Sequence, residues 1–174
     1  MGLEIERRFL VRTTAWQSLV RTSVHLSQGY ISISPHGVTT RVRHDHAKGW
    51  LTLKAPVAAG AAPATGPIRR WEFEYAIPLG DAKCLLDHCP HQLRKERHTL
   101  NLAGGDWVVD CFADANHGLV LAEVEVELER PDAGLCLPRW LGPEVTGNGR
   151  LSNAALARHP WSQWLEQEKQ ALWR

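Results

Sequence analysis

The chain has 174 residues, and its 20 Lys and Arg against 19 Asp and Glu leave a formal net charge of +1. That length suits one domain, expected to span residues 1–174 with a sizeable core, and the balanced charge removes any bulk electrostatic case for nucleic acid. No apolar run reaches the length of a membrane span, no signal-peptide core follows Met1, and Cys84, Cys89, Cys111 and Cys136 lack zinc-site spacing; the expectation is a cytoplasmic protein with reduced thiols, without a membrane or specific nucleic-acid partner.

Alternation and β-branched or aromatic content predict eight strands, at about residues 3–11, 27–33, 38–45, 49–54, 70–76, 93–100, 106–113 and 119–129. After the first, Thr14 is placed to cap a short helix over about 15–20. Ser34-Pro35-His36-Gly37 reads as a turn, and the uncharged, Ala-, Gly- and Pro-rich stretch at about 55–67 reads as a loop between two charged strands. Asp81 is placed to cap a helix over about 82–88, which Pro90 stops, and Ala103-Gly104-Gly105-Asp106 and Asn116-His117-Gly118 mark further turns. Ser152 is expected to cap a helix over about 153–157, and Pro160 to open a C-terminal helix at about 160–172. That last helix would dock a stripe of Trp161, Trp164, Leu165 and Leu172 on the sheet. An even set of strands suits antiparallel closure, so the expected fold is α+β: an eight-stranded antiparallel β-barrel with short helices packed outside. Its apolar outer strand faces exceed what so few helices cover, which leaves room for a homodimer.

Residues two apart on a strand share a face, and here one face is repeatedly ionic. Glu4, Glu6 and Arg8 lie on one side of the first strand with Ile5 and Phe9 on the other; Arg41 and Arg43 flank Val42; Glu72 and Glu74 alternate with Trp71, Phe73 and Tyr75; Glu123, Glu125 and Glu127 alternate with Val124, Val126 and Leu128. The same parity adds Gln28, Tyr30, Thr52, Lys54, Arg70, Lys95, Arg97 and Asp110. If these faces point inward, acids and bases nearly cancel around one cavity, and so many charges must be met by water, ions or ligand. Carboxylates without His or Cys suit a hard cation such as Mg²⁺, and Arg and Lys suit phosphate oxygens. A phosphate chain held between a metal and a basic wall satisfies both halves, and hydrolysis of a terminal phosphate is the expected chemistry. His44 and His46 would at most extend the basic rim.

The opening Glu4-Ile5-Glu6-Arg7-Arg8-Phe9-Leu10-Val11 resembles the E-x-E-x-K signature of the CYTH domain, the fold of the triphosphate tunnel metalloenzymes. The resemblance continues in order through Gln28-Gly29-Tyr30, Arg41-Val42-Arg43, Leu51-Thr52-Leu53-Lys54, Arg70-Trp71-Glu72-Phe73-Glu74, Lys95-Glu96-Arg97, Trp107-Val108-Val109-Asp110-Cys111-Phe112, Leu121-Ala122-Glu123-Val124-Glu125 and Glu144-Val145-Thr146, before Asn153. It implies an eight-stranded tunnel with Glu4, Glu6, Asp110, Glu123 and Glu125 binding Mg²⁺ or Mn²⁺, and Arg8, Arg41, Arg43, Lys54, Lys95 and Arg97 on the triphosphate, joined by Arg70 from the strand parity. Glu72 and Glu74 would orient the bases, and Glu4, Glu6, Arg8 and Tyr30 are the expected catalytic residues. The inorganic triphosphatase branch is the best match, implying metal-dependent cleavage of inorganic triphosphate to pyrophosphate and phosphate. The alternatives are a class IV adenylate cyclase, another nucleoside or organic triphosphatase, and a polyphosphate-binding module of low turnover. Arg8 stands where the signature has Lys, which in related hydrolases works with the Tyr of Gln-Gly-Tyr to prepare the attacking water. Because a guanidinium holds its proton, Arg8→Lys is expected from this resemblance to raise turnover.

Overall fold

A computed structural model of the chain describes residues 2–34, 37–57, 68–126, 135 and 137–174. Glu127, Leu128, Cys136 and most of the predicted loop at 55–67 lie outside the described residues. The strands are β1 (Gly2–Val11), β2 (Val20–Ser32), β3 (Thr39–His44), β4 (Gly49–Pro56), β5 (Ile68–Ile77), β6 (His91–Leu100), β7 (Asp106–Phe112), β8 (Val120–Glu125) and β9 (Leu141–Glu144). They form one antiparallel sheet in the order β5-β4-β3-β2-β6-β7-β8-β1-β9, and a further β5–β1 pairing closes β1 to β8 into a barrel. β9 is additional to the eight predicted strands; it adds outside the closed ring, pairing Leu141 with Val11 and Glu144 with Phe9. β2 begins well before its predicted start and pairs along β6 from Val20 opposite Leu100; its first half is mostly exposed and polar, so the alternation of Val20, Val24 and Leu26 with Arg21, Ser23 and His25, interrupted at Thr22, is a weak signal.

The helices are short. A 3-10 helix at Thr14–Leu19 is capped by Thr13, not Thr14. The helix α1 (Leu79–Asp87) starts earlier than expected, with Pro78 at its N-cap and Asp81 inside its first turn, where a carboxylate complements the helix dipole. Ser152 caps α2 (Asn153–Arg158) as expected, its hydroxyl accepting from Ala155 N–H at 3.2 Å. The predicted C-terminal helix is divided: a 3-10 turn at Trp161–Gln163, extended backbone at Trp164 and Leu165, then α3 (Glu166–Ala171). The break resets the helical register, so Trp164 is buried while Leu165 is 59% exposed. The Arg150 guanidinium lies 3.9 Å from the Trp164 ring centre and binds Glu168, and the Glu168 carboxylate accepts Leu165 N–H, which together hold the bend.

Two apolar clusters frame the barrel. Outside β1, β7 and β8 lie Phe9, Trp107, Val124 and Trp140, with the Phe9 and Trp107 rings 6.2 Å apart. The second cluster sits within one end of the ring: Leu10, Leu93, Phe112 and Leu121 share the inward parity of Arg8, Lys95, Asp110 and Glu123, and Leu151, Leu156 and Trp164 from the C-terminal segment pack on them. This end of the tunnel is plugged by hydrocarbon. On the far side, α1 covers Val42 at β3. Gly29 and Gly49 permit its close approach, since a Cβ on Gly29 would meet Cys89 Cβ at 2.7 Å and one on Gly49 would meet Ala82 Cβ at 2.5 Å. The outer face of β5 is less covered, with Trp71 42% and Tyr75 51% exposed. Cys84, Cys89 and Cys111 are free thiols. Among the described residues, no helix is long and apolar enough to cross a membrane.

Candidate active site in the tunnel

Above the hydrocarbon plug, the barrel encloses a cavity of about 1330 Å³ whose wall includes Glu4, Glu6, Arg8, Tyr30, Arg41, Arg43, Lys54, Arg70, Arg97, Glu123 and Glu125. Period-two alternation along the strands is what brings them together. Register then matches charge to charge: Glu4 lies opposite Arg70, Arg8 opposite Glu123, Lys54 opposite Glu72, and Arg97 opposite Asp110.

Arg8 is 5% exposed and spans three partners. Its Nε donates to Glu123 at 2.8 Å, one terminal nitrogen to Glu6 at 3.2 Å, and the other to the Leu151 carbonyl at 3.3 Å. Burial disfavours its charge, but Glu123, Glu6 and Asp110 outweigh that and raise its pKa above the ordinary guanidinium value. Glu6 also receives Arg70 at 2.6 Å, and Glu4 receives Lys54 at 2.9 Å and Arg70 at 3.4 Å. On the opposite wall Arg41 binds Thr52 at 3.0 Å and Glu74 at 3.2 Å, while Arg43 binds both oxygens of Glu74 and lies 5.2 Å from the Trp50 ring centre. Burial and the neighbouring Arg41 pull the Arg43 pKa down to about 10, which leaves it a cation at neutral pH. Burial, outweighing Arg41 and Gln28, pushes the Tyr30 phenol up to about 12.

Lys95 and Asp110 are placed differently from the rest. They point into the barrel beneath the cavity, next to the hydrocarbon plug, 2% and 0% exposed, where the Asp110 carboxylate takes Lys95 and both Nε and a terminal nitrogen of Arg97. Asp110 therefore reaches the cavity through Arg97, which also holds Glu123 at 2.9 Å. Burial and Arg97 lower the Lys95 pKa to about 8 despite Asp110. His44 turns its ring to the Asp45 carbonyl and neither it nor His46 lines the cavity. Thr52, fully buried between Arg41 and Glu74, is a structural member of the site that strand parity places on the inner face. Asn148, Ser152, Asn153 and Arg158 also line the cavity, brought there by the C-terminal segment with no periodic signal to announce them.

The donor set fits a hard divalent cation, since among the described residues the wall offers carboxylate oxygens and no His or Cys. Glu6 faces Glu125 directly across the β1–β8 pair. Burial and the like charges of Glu4, Glu72 and Asp106 push the Glu125 carboxyl above its ordinary value, a crowding that a cation relieves. Among the described residues, no three His, Cys, Asp or Glu side chains converge on one point, because Glu4, Glu6 and Glu123 are turned to Lys54, Arg70, Arg8 and Arg97. The site therefore holds its acids and bases paired with each other.

Comparison with known proteins agrees with this geometry. The family model of the CYTH domain matches residues 2–136. The chain is 38% identical to the inorganic triphosphatase of Acetivibrio thermocellus over 95% of this chain and 100% of that protein. It is 31% identical to the inorganic triphosphatase of Nitrosomonas europaea over 88% of this chain and 96% of the relative. A crystal structure of an inorganic triphosphatase aligns with a TM-score of 0.62 at 30% identity, covering 90% of this chain and 95% of that one.

Proposed function

Because this chain belongs to the CYTH domain family, we propose that it hydrolyses inorganic triphosphate to pyrophosphate and phosphate inside its tunnel. The observation that carries the reading is one cavity whose wall sets Arg41, Arg43, Lys54, Arg70 and Arg97 beside the carboxylates of Glu4, Glu6, Glu123 and Glu125. Guanidinium and ammonium groups gathered on the wall of one ionic cavity suit phosphate oxygens. Arg41, Arg43, Lys54, Arg70 and Arg97 would grip the chain of phosphates, Arg8 would hold Glu6 and Glu123 in place, and Lys95 would act from beneath through Asp110 and Arg97. The family implies a divalent metal ion. We read it as Mg²⁺ or Mn²⁺, held by Glu4, Glu6, Glu123 and Glu125 with Asp110 in support; bound there, it would neutralise charge developing on the phosphates. The plugged end favours a substrate without a base, because a nucleotide could not pass its base through the hydrocarbon there. A cytoplasmic location, and association of two copies through Trp71 and Tyr75 on the outer face of β5, belong to the same proposal and are checked by fractionation and sedimentation.

The test measures phosphate, pyrophosphate and cyclic AMP released from triphosphate and from ATP, with Mg²⁺, with Mn²⁺ and with chelator. Metal-dependent release of phosphate and pyrophosphate, at a kcat/KM well above that for ATP, is expected. Equal efficiency for ATP, or cyclic AMP as the product, would overturn the reading.

A further inference from the structure

Gln28 is 0% exposed, yet one end of its amide has no partner. It points into the barrel from β2, two residues from Tyr30, which is 5% exposed and lines the cavity. Gly29 between them lies against Leu86 and Cys89 on the outer side, so the strand is backed there and both side chains are held to the inner face. The Gln28 Nε2–H donates to Tyr30 Oη at 2.8 Å, and Oε1 is left over. Across the β2–β3 pair, Gln28 faces Arg43 and Tyr30 faces Arg41. Beside cations an amide turns its carbonyl oxygen toward the positive charge, which leaves its N–H₂ end for the phenol oxygen. A methionine of similar size would fill this place without stranding an acceptor, so packing alone does not account for an amide.

We propose that Gln28 is a positioning residue for catalysis: by occupying the acceptor side of the Tyr30 hydroxyl, it directs the phenol O–H into the tunnel as a donor to a phosphate oxygen of the substrate. The inference rests on the triphosphatase reading above. Tyr30 then works as a neutral donor aimed at phosphate charge and not as the base that takes a proton from water. Its raised pKa agrees with this, since the phenol keeps its proton throughout the neutral range. Arg41 and Arg70 place positive charge beside it and would attract the same phosphate oxygens.

The experiment compares Gln28→Met, Tyr30→Phe and the double variant, with fold checked by thermal melting. With triphosphate and saturating Mg²⁺, Tyr30→Phe is expected to lower kcat by roughly a hundredfold with KM changed only a few fold. Gln28→Met should lower kcat by about tenfold without lowering the melting temperature, and the double variant should be no slower than Tyr30→Phe alone. A folded Gln28→Met enzyme with unchanged kcat, or losses that multiply in the double variant, overturns the proposal. A second readout needs no turnover. The chain has 2 tyrosines, so in a Tyr75→Phe background labelled with fluorotyrosine the only titrating phenol is at position 30. Removing a donor to Oη must raise that phenol's pKa, so Gln28→Met should shift its titration to higher pH; a shift to lower pH would show that Gln28 accepts from Tyr30 and overturns the inference. If the unaltered protein releases no phosphate from triphosphate, the functional reading fails by itself, while the titration still decides the direction of the hydrogen bond.

Discussion

Replacing Arg8 by lysine restores the residue of the family signature, and the structure predicts that the protein will suffer for it. The guanidinium reaches three acceptors in three directions, on β1, on β8 and on the C-terminal segment that plugs the tunnel. A single ammonium can stay near the two carboxylates but cannot also keep the Leu151 carbonyl, and it loses the planar fork that holds Glu123 and Glu6 apart. Loss of one charge-assisted bond and one bond to a buried carbonyl amounts to about 2–4 kcal/mol. For a chain of this size that lowers the melting temperature by roughly 4–16 °C. Thermal unfolding of both forms measures this directly, and a pH series of kcat and KM with saturating metal measures the chemistry. Because the ring of Glu6, Glu123 and Asp110 holds either cation protonated, the pH profile of Arg8→Lys should match that of the unaltered protein and turnover should not rise. This reverses the expectation drawn from the signature alone. An Arg8→Lys protein with undiminished melting temperature, faster turnover and a shifted profile would refute the clamp and restore proton transfer at this position.

Arg43→Ala should weaken triphosphate binding by about ten- to a hundredfold, read by calorimetry, since it removes a charged donor from the cavity wall. Leu156→Ala empties a fully buried position in the plug and should cost about 2–5 kcal/mol in urea unfolding; an unchanged midpoint would show that α2 does not seal the tunnel. Acid should destabilise the fold through Glu74, whose pKa is lowered because Arg43, Thr52 and Arg41 outweigh its burial. Its contribution is complete above the unfolded carboxylate value and is lost as pH falls through the lower folded value, so the slope of stability between about pH 5 and about pH 2 should flatten in Glu74→Gln.

The ionic face of the tunnel is legible in the amino-acid order because a strand repeats every two residues, and Glu4, Glu6 and Arg8, or Arg41 and Arg43, cannot share a face with Ile5 or Val42. The same rule hides the plug. Leu10 and Leu121 lie at the inner end of the strands that carry Arg8 and Glu123, and nothing local marks where a barrel interior turns from charge to hydrocarbon. The C-terminal stripe reads as one helix because Trp161, Trp164 and Leu165 fit helical spacing; the bend at Trp164 depends on Arg150 and Glu168, which lie elsewhere in the chain.

Alternation, turn residues and ionic parity along the chain thus determined a closed antiparallel barrel with an ionic lining. Tertiary structure alone decided how that lining is divided. It put Lys95 and Asp110 beneath the cavity and tied Arg8 to the C-terminal segment. It also left the Nε–H groups of Arg41, Arg43 and Arg70 without partners. The physical reason is that parity states which side of a strand a residue takes, whereas its hydrogen-bond partners are set by register between strands far apart in sequence and by the segment that docks across the barrel's end.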